Sequence, residues 1–294
     1  MIKRLVPAAV AAGVVLSGLA TATATAAPDC ADVHVIGAAG SGQRNAMSMA
    51  TQEGMGDVVY SSYQQLRSDL VKAGYTVTSE SVNYPAVEVP EDGSIGGWMG
   101  FMDSVRAGAA ATGAQYQAYV TKCPTSKVVL AGYSQGAMAV HRNLHGLATS
   151  PQLAGALLIA DGDRNPTDTT IKMGTTALIA PGETMGVGHE HYILAGTNTD
   201  PLPADLGART ISVCDVGDPV CDYDVDGDEA TPAQIAIHTG YKPTAGGPHG
   251  WNAPLYNLVV AAAGTPSGAP VGAEDEAEEP AATPGLTLTQ LAAN

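Results

Sequence analysis

A serine stands between two glycines in G-Y-S-Q-G, 132–136, where the apolar run V-V-L-A at 128–131 gives way to a helix-forming stretch. That placement fits a nucleophile elbow, the tight strand-to-helix turn that lifts a serine Oγ above the C-terminal edge of a sheet. Gln135 then opens the helix, and its backbone N–H is one of the donors that a helix start leaves free for an oxyanion. In a chain with 35 glycines the motif alone is weak, so its position carries the weight. A serine nucleophile needs a base, and the base needs an orienting carboxylate. Six of the seven histidines follow Ser134. His141 and His145 fall i,i+4 on the helix after the serine and read as an exposed face, with no third ligand in view for a metal. His189 and His191 lie in a glycine-rich loop and read as surface. His238 and His249 stay as candidate bases, both late in the chain and ahead of the last helix.

The elements that must position these groups alternate between strand and helix patterns. Strands are expected at Val33–Gly37, 75–83, Lys127–Ala131, Leu153–Ala160 and Thr210–Cys214. Helices are expected at 57–73, 98–121, 135–148 and 252–263. Nearly continuous apolar strands separated by helices imply a parallel sheet covered on both faces. There is no glycine-rich phosphate fingerprint and no internal repeat.

Met-Ile-Lys-Arg, an apolar segment from Leu5 to about Leu19 and a small-residue site ending Ala24-Thr25-Ala26 describe a secretory leader, 1–26. Its apolar segment is short of the roughly 20 residues that a spanning helix needs, and no later segment is long enough, so no integral membrane association is expected. In an exported protein the four cysteines, Cys30, Cys123, Cys214 and Cys221, suggest two disulfides. Three connectivities are open, although Cys214 and Cys221 look like the ends of a small local loop. The formal charge of −16 becomes −18 once Lys3 and Arg4 leave with the leader, which disfavours nucleic acid and anionic membranes as partners. After Ala263 the text turns Pro/Gly/Ala-rich and acidic, so 265–294 reads as a disordered tail behind one α/β domain, 27–264. Asp222, Asp224, Asp226, Gly227 and Asp228 imitate the start of a calcium loop, but Ala233 stands where a bidentate glutamate is needed. The segment reads as a solvated acidic flap beside the active site, and no metal is expected.

Five segments, in order along residues 30–241, resemble the cutinase family. C-D-V-G-D-P-V-C at 214–221 is similar to its Cys-x-x-Gly-Asp-x-[Ile/Val]-Cys, and H-T-G-Y at 238–241 to its His-x-x-Tyr. G-Y-S-Q-G-A at 132–137 resembles its nucleophile motif, and A-A-G-S-G-Q at 38–43 its Ala-Arg-Gly-Ser-x-Glu. C-P-T-S-K-V-V-L at 123–130 also fits, and the likeness is greatest to the cutinase-like esterases of actinobacteria. The resemblance implies an α/β-hydrolase (cutinase-like) three-layer sandwich with a central, mostly parallel sheet and no large lid. It implies Ser134 as nucleophile, His238 as base and Asp218 as orienting acid, with Gln135 and Ser41 forming the oxyanion hole. It further implies Cys30–Cys123 and Cys214–Cys221 disulfides, and a secreted, cofactor-free, monomeric serine esterase acting on lipid, polyester or acylated-glycan esters. Two positions depart from the pattern: Ala39 replaces its arginine and Gln43 its glutamate. The Asp218-to-His238 spacing is also longer than in fungal cutinases, which keeps His249 as a rival base. An inactive binding protein on the same fold and an acetylated-polysaccharide esterase are the competing readings.

Overall fold

A computed structural model describes residues 30–90, 94–179, 185–190, 194, 200–224 and 230–268. The expected leader and the chain beyond 268 lie outside them. The elements are β1 (Val33–Ala38), α1 (Ala46–Thr51), α2 (Asp57–Lys72), β2 (Val77–Ser81), α3 (Ile95–Lys122), β3 (Lys127–Tyr133), α4 (Gln135–Leu147) and β4 (Leu153–Ile159). There follow β5 (Ile171–Met173), a 3-10 turn (Thr175–Leu178), α5 (Val187–Glu190), α6 (Ala204–Gly207), β6 (Thr210–Val213), α7 (Pro232–His238) and α8 (Asn252–Ala263).

One six-stranded sheet runs β2-β1-β3-β4-β6-β5 with every pairing parallel. The inner strands β1, β3, β4 and β6 are buried because alternate side chains feed cores on the two faces of the sheet, while the edge strands β2 and β5 stay partly exposed. Val33, Val35, Val129, Ala131 and Tyr133 meet Leu66 and Leu70 of α2 and Leu255 and Val259 of α8. Ile36, Val128, Leu130 and Leu158 pack on the other face with Tyr116 of α3 and Val140 and Leu144 of α4. This is the expected three-layer α/β-hydrolase sandwich. Each large aliphatic chain buried in it contributes about 1.5–3 kcal/mol.

Both implied disulfides are present, Cys30–Cys123 with Cα atoms 5.5 Å apart and Cys214–Cys221 with 5.9 Å. Cys30–Cys123 closes the long loop, worth roughly 4–5 kcal/mol on a chain-entropy model, and fastens the start of β1 to the end of α3. Within the segment read as a tail, the Ser267 hydroxyl donates to Asp32 (2.8 Å) and the Gly268 N–H to the Gly74 carbonyl (3.0 Å).

Two expectations are corrected. His141 is 6% exposed rather than on an open helix face, because its Nδ1 meets Asp161 Oδ2 at 2.5 Å just beyond β4. His189 lies on the short α5 rather than in a loop, half-buried, with its Nε2 bonded to the Asp163 carbonyl at 2.9 Å. His145 is half-exposed and His191 lies outside the described residues.

Candidate active site

Ser134 caps α4 in the left-handed region, φ +53°, ψ −120°, a conformation that is costly for a residue with a side chain. The flanking glycines make it attainable. A Cβ at Gly132 would lie 2.4 Å from the Gly136 carbonyl oxygen, and one at Gly136 would lie 2.2 Å from that of Ala38. Neither close approach tolerates a side chain. The Ser134 N–H donates to the Ile159 carbonyl at the end of β4 (2.9 Å), and the Met138 N–H donates to the Ser134 carbonyl (3.1 Å). These bonds anchor the turn at both ends.

His238 arrives on α7, a short helix made possible by its start. Thr231 and Gln234 form a reciprocal capping box with Pro232 at the first helical position. His238 Nε2 lies 3.0 Å from Ser134 Oγ, and its Nδ1 lies 3.0 Å from both carboxylate oxygens of Asp218. With the Nδ1 proton held by the carboxylate, Nε2 is left as the acceptor for the serine hydroxyl. Tyr133, next to the serine, stacks on the imidazole with ring centroids 5.3 Å apart and donates to the His238 carbonyl (2.6 Å).

Asp218 is fully buried. It sits in the loop closed by Cys214–Cys221 and accepts the N–H groups of Val220 (2.7 Å) and Cys221 (3.2 Å) and the Tyr241 hydroxyl (2.8 Å). Burial alone would raise its pKa. The hydrogen bond and charge of His238, aided by Val220 and Tyr241, outweigh burial and hold it below the ordinary carboxylate value. His249, the rival base, is not at the serine. Its Nε2 meets Asp215 Oδ2 at 2.7 Å instead.

The loop after β1 brings Ser41 to the same end of the sheet. Its hydroxyl is shut from solvent without a hydrogen-bond partner, a costly condition unless something fills it. The departures nearby have local reasons. Gln43 accepts the Gly40 N–H (3.3 Å) and donates to Asp57 (2.7 Å), where a glutamate would set two carboxylates against each other. Ala39 is fully buried, with its carbonyl taken by the Tyr84 hydroxyl. Gln135 is buried too, its side chain tied to the Ser104 hydroxyl (3.1 Å) and the Val87 carbonyl (3.2 Å), so its backbone N–H is held still.

Among the described residues no group of three or more His, Cys, Asp or Glu side chains could hold a metal ion. Of the calcium-like segment, Asp222 accepts the Gly217 N–H (2.7 Å), while 225–229 lie outside the described residues. Sequence reasoning gave Tyr241 no role beyond the motif, and it gave Tyr133 none. The spacing His-x-x-Tyr was the available signal for Tyr241.

The family model for cutinase matches residues 29–248. The chain is 27% identical over 227 residues to acetylxylan esterase 2 of Talaromyces purpureogenus, covering 72% of this chain and 81% of that protein. It is 26% identical over 206 residues to carboxylesterase Culp1 of Mycobacterium tuberculosis, covering 70% and 76%. A cutinase-like protein from Cryptococcus sp. shares the fold at TM-score 0.53, with 20% identity over 80% of this chain and 97% of that one. The catalytic core domain of acetyl xylan esterase from Trichoderma reesei does so at 0.52, with 21% identity over 79% and 99%. On the family match along most of its length, the chain belongs to the cutinase family and is a carboxylic ester hydrolase.

Proposed function

We propose that the enzyme is a secreted, monomeric serine esterase in which Ser134 is the nucleophile, His238 the general base and Asp218 the acid that orients it. The observation that carries this reading is the imidazole of His238, which stands 3.0 Å from Ser134 Oγ on one side and 3.0 Å from Asp218 on the other. The Ser134 oxygen attacks the ester carbonyl as His238 takes its proton, and Asp218 stabilises the imidazolium that forms. The Gln135 N–H and the unpartnered Ser41 hydroxyl receive the oxyanion. His238 then protonates the leaving alcohol, and a water deprotonated by the same imidazole releases the acyl group from Ser134. The three groups come from one chain, so no second copy is needed. The leader 1–26, the domain 27–264 and the tail from 265 complete the reading, with export supported by the two disulfides.

Apolar acyl chains are the favoured substrates. Met47, Met49, Val87, Val89, Ile95, Met99, Leu178, Ile179, Val216 and Ile235 are exposed and fall in segments that follow strand C-termini. Parallel pairing puts those segments at the serine's edge of the sheet. Among the described residues, Val71 is the only exposed large hydrophobic side chain that lies elsewhere, at the far end of α2. The second reading, an acetylated-polysaccharide esterase, is favoured by the Talaromyces relative. A panel of p-nitrophenyl esters from acetate to palmitate, run beside acetylated xylan, decides between them. Butyrate and longer chains should be the better substrates, with Ser134→Ala inactive on all. Turnover confined to acetate and acetylated xylan would select the second reading, and full turnover by folded Ser134→Ala would exclude both.

A further inference from the structure

Asp218 Oδ2 accepts a hydrogen bond that the triad itself does not supply. The donor is the hydroxyl of Tyr241, 2.8 Å away, and the same hydroxyl accepts the backbone N–H of Asp215 at 2.8 Å. Asp215 is in turn held through its side chain. Its Oδ1 accepts the Thr175 N–H (2.8 Å) and its Oδ2 meets His249 Nε2 (2.7 Å). The row therefore runs His249–Asp215–Tyr241–Asp218–His238–Ser134, two aspartate–histidine pairs joined by one buried tyrosine. Tyr241 is 1% exposed, with its ring tilted against those of Tyr133 (6.2 Å) and His249 (5.9 Å). Burial, and then the charge of Asp218, push its ionisation well above the ordinary phenol value, so it stays a donor throughout the working range.

We propose that Tyr241 is the positioning residue of the catalytic carboxylate, fixing Asp218 against His238 and taking up part of its charge, with the Asp215–His249 pair as its anchor. The proposal rests on the triad reading above. Asp218 could rotate about its own side chain if only the Val220 and Cys221 N–H groups held it, since both bond to Oδ1. Tyr241 is the only further donor to Oδ2 besides the imidazole among the described hydrogen bonds. The polar motif spacing follows from this geometry. α7 ends at His238, and the turn through Thr239 and Gly240 folds back, so that the third residue on lies beneath the carboxylate. Besides Asp218 and Asp215, Arg164 is the charged group that faces this hydroxyl, and it donates to the Cys221 carbonyl (3.3 Å).

The test is Tyr241→Phe, assayed with p-nitrophenyl butyrate from pH 4 to 9, with active sites counted by stoichiometric phosphonate labelling of Ser134. Per labelled site, kcat should fall about tenfold, the scale of one lost hydrogen bond to a charged group, with KM within about twofold. The acid limb of the kcat/KM profile should move to higher pH by about half a unit to one unit, because a carboxylate relieved of a donor favours the protonated imidazole. A lower unfolding midpoint with unchanged kcat per site and an unmoved limb would overturn the proposal, since that is a structural role only. Should Tyr241→Phe fail to fold, His249→Ala carries the test. It leaves the tyrosine in place, and a twofold to threefold loss of kcat with a smaller shift in the same direction supports the proposal. A profile superposing on the parent's overturns it. A parent protein that neither labels nor turns over ester defeats the triad reading itself, a result distinct from any of these.

Discussion

His238 and His249 each meet an aspartate at hydrogen-bond distance, yet only one of them reaches a nucleophile. The difference lies in what Ser134 faces: Nε2 of His238 at 3.0 Å, while His249 spends its Nε2 on Asp215. His238→Ala should therefore lower kcat/KM by on the order of a thousandfold or more, and His249→Ala only a few-fold. Steady-state kinetics on one p-nitrophenyl ester checks the ranking, and the reverse order would exchange the two histidines. At this scale the sequence was informative for Ser134 and for the pair of candidate bases. It could not choose between the bases by spacing, because both lie far enough beyond Asp218 for the chain to return either one to the serine. The motif likeness chose, and the geometry agrees with it. His141 was misread for a physical reason. A helix pattern counts histidine as polar, and the Asp161 that lets it be buried comes from 20 residues further along the chain.

The elbow shows the same division between elements. β3 and α4 were legible because a continuous apolar run and a helix pattern meet at a glycine-flanked serine. Gly136→Ala tests how tight that junction is. Its Cβ would meet the Ala38 carbonyl oxygen at 2.2 Å, a methyl carbon against backbone, so no rotamer change relieves the clash. The substitution should cost about 1–3 kcal/mol in denaturant unfolding and displace the loop that carries Ser41. It should consequently lower kcat well beyond what the stability loss explains. An active, equally stable Gly136→Ala would show that the two segments are not in contact. Other elements were missed. β5 spans only Ile171–Met173, too short for any periodicity, and α7 has no buried residue, so no apolar stripe announces it. Its one local signal was Thr231-Pro232-Ala233-Gln234, a capping box in plain sight. The strand expected at 75–83 shrinks to Val77–Ser81, and the helix expected at 98–121 starts three residues earlier, capped by Ser94.

Across the whole molecule, the two cores were readable from alternating strands, whereas the charged network at the C-terminal edge of β4 was not. His141, buried against Asp161, links that network to α4, while Arg142 grips Asp163 (2.6 Å) and the Leu194 carbonyl (2.7 Å). Burial alone would lower the pKa of His141. The charge and hydrogen bond of Asp161, with Asp163 and Asp168, outweigh it and raise the value to about 9. A raised folded pKa stabilises fully below the unfolded value near 6.5, and that stabilisation is lost as pH rises through about 9. The thermal midpoint of the parent should thus fall between pH 7 and 10 more steeply than that of His141→Gln. At pH 7 the variant should be the less stable by about 3–5 kcal/mol, the cost of leaving a buried partner unpaired. Parallel curves would show that the His141 proton adds nothing to the pH dependence of stability, and superposed curves that the pair is neutral to it.

The central claim, that one hydroxyl among those of this chain is activated by the His238–Asp218 pair, meets its most direct test in covalent labelling. The enzyme is treated with an alkyl phosphonate ester, and the adduct is then located by peptide mapping and intact mass. One phosphonyl group per chain on Ser134, formed at least a hundredfold more slowly in His238→Ala, is the result that the geometry requires. Labelling at another residue, or equal rates in the parent and in His238→Ala, would contradict it.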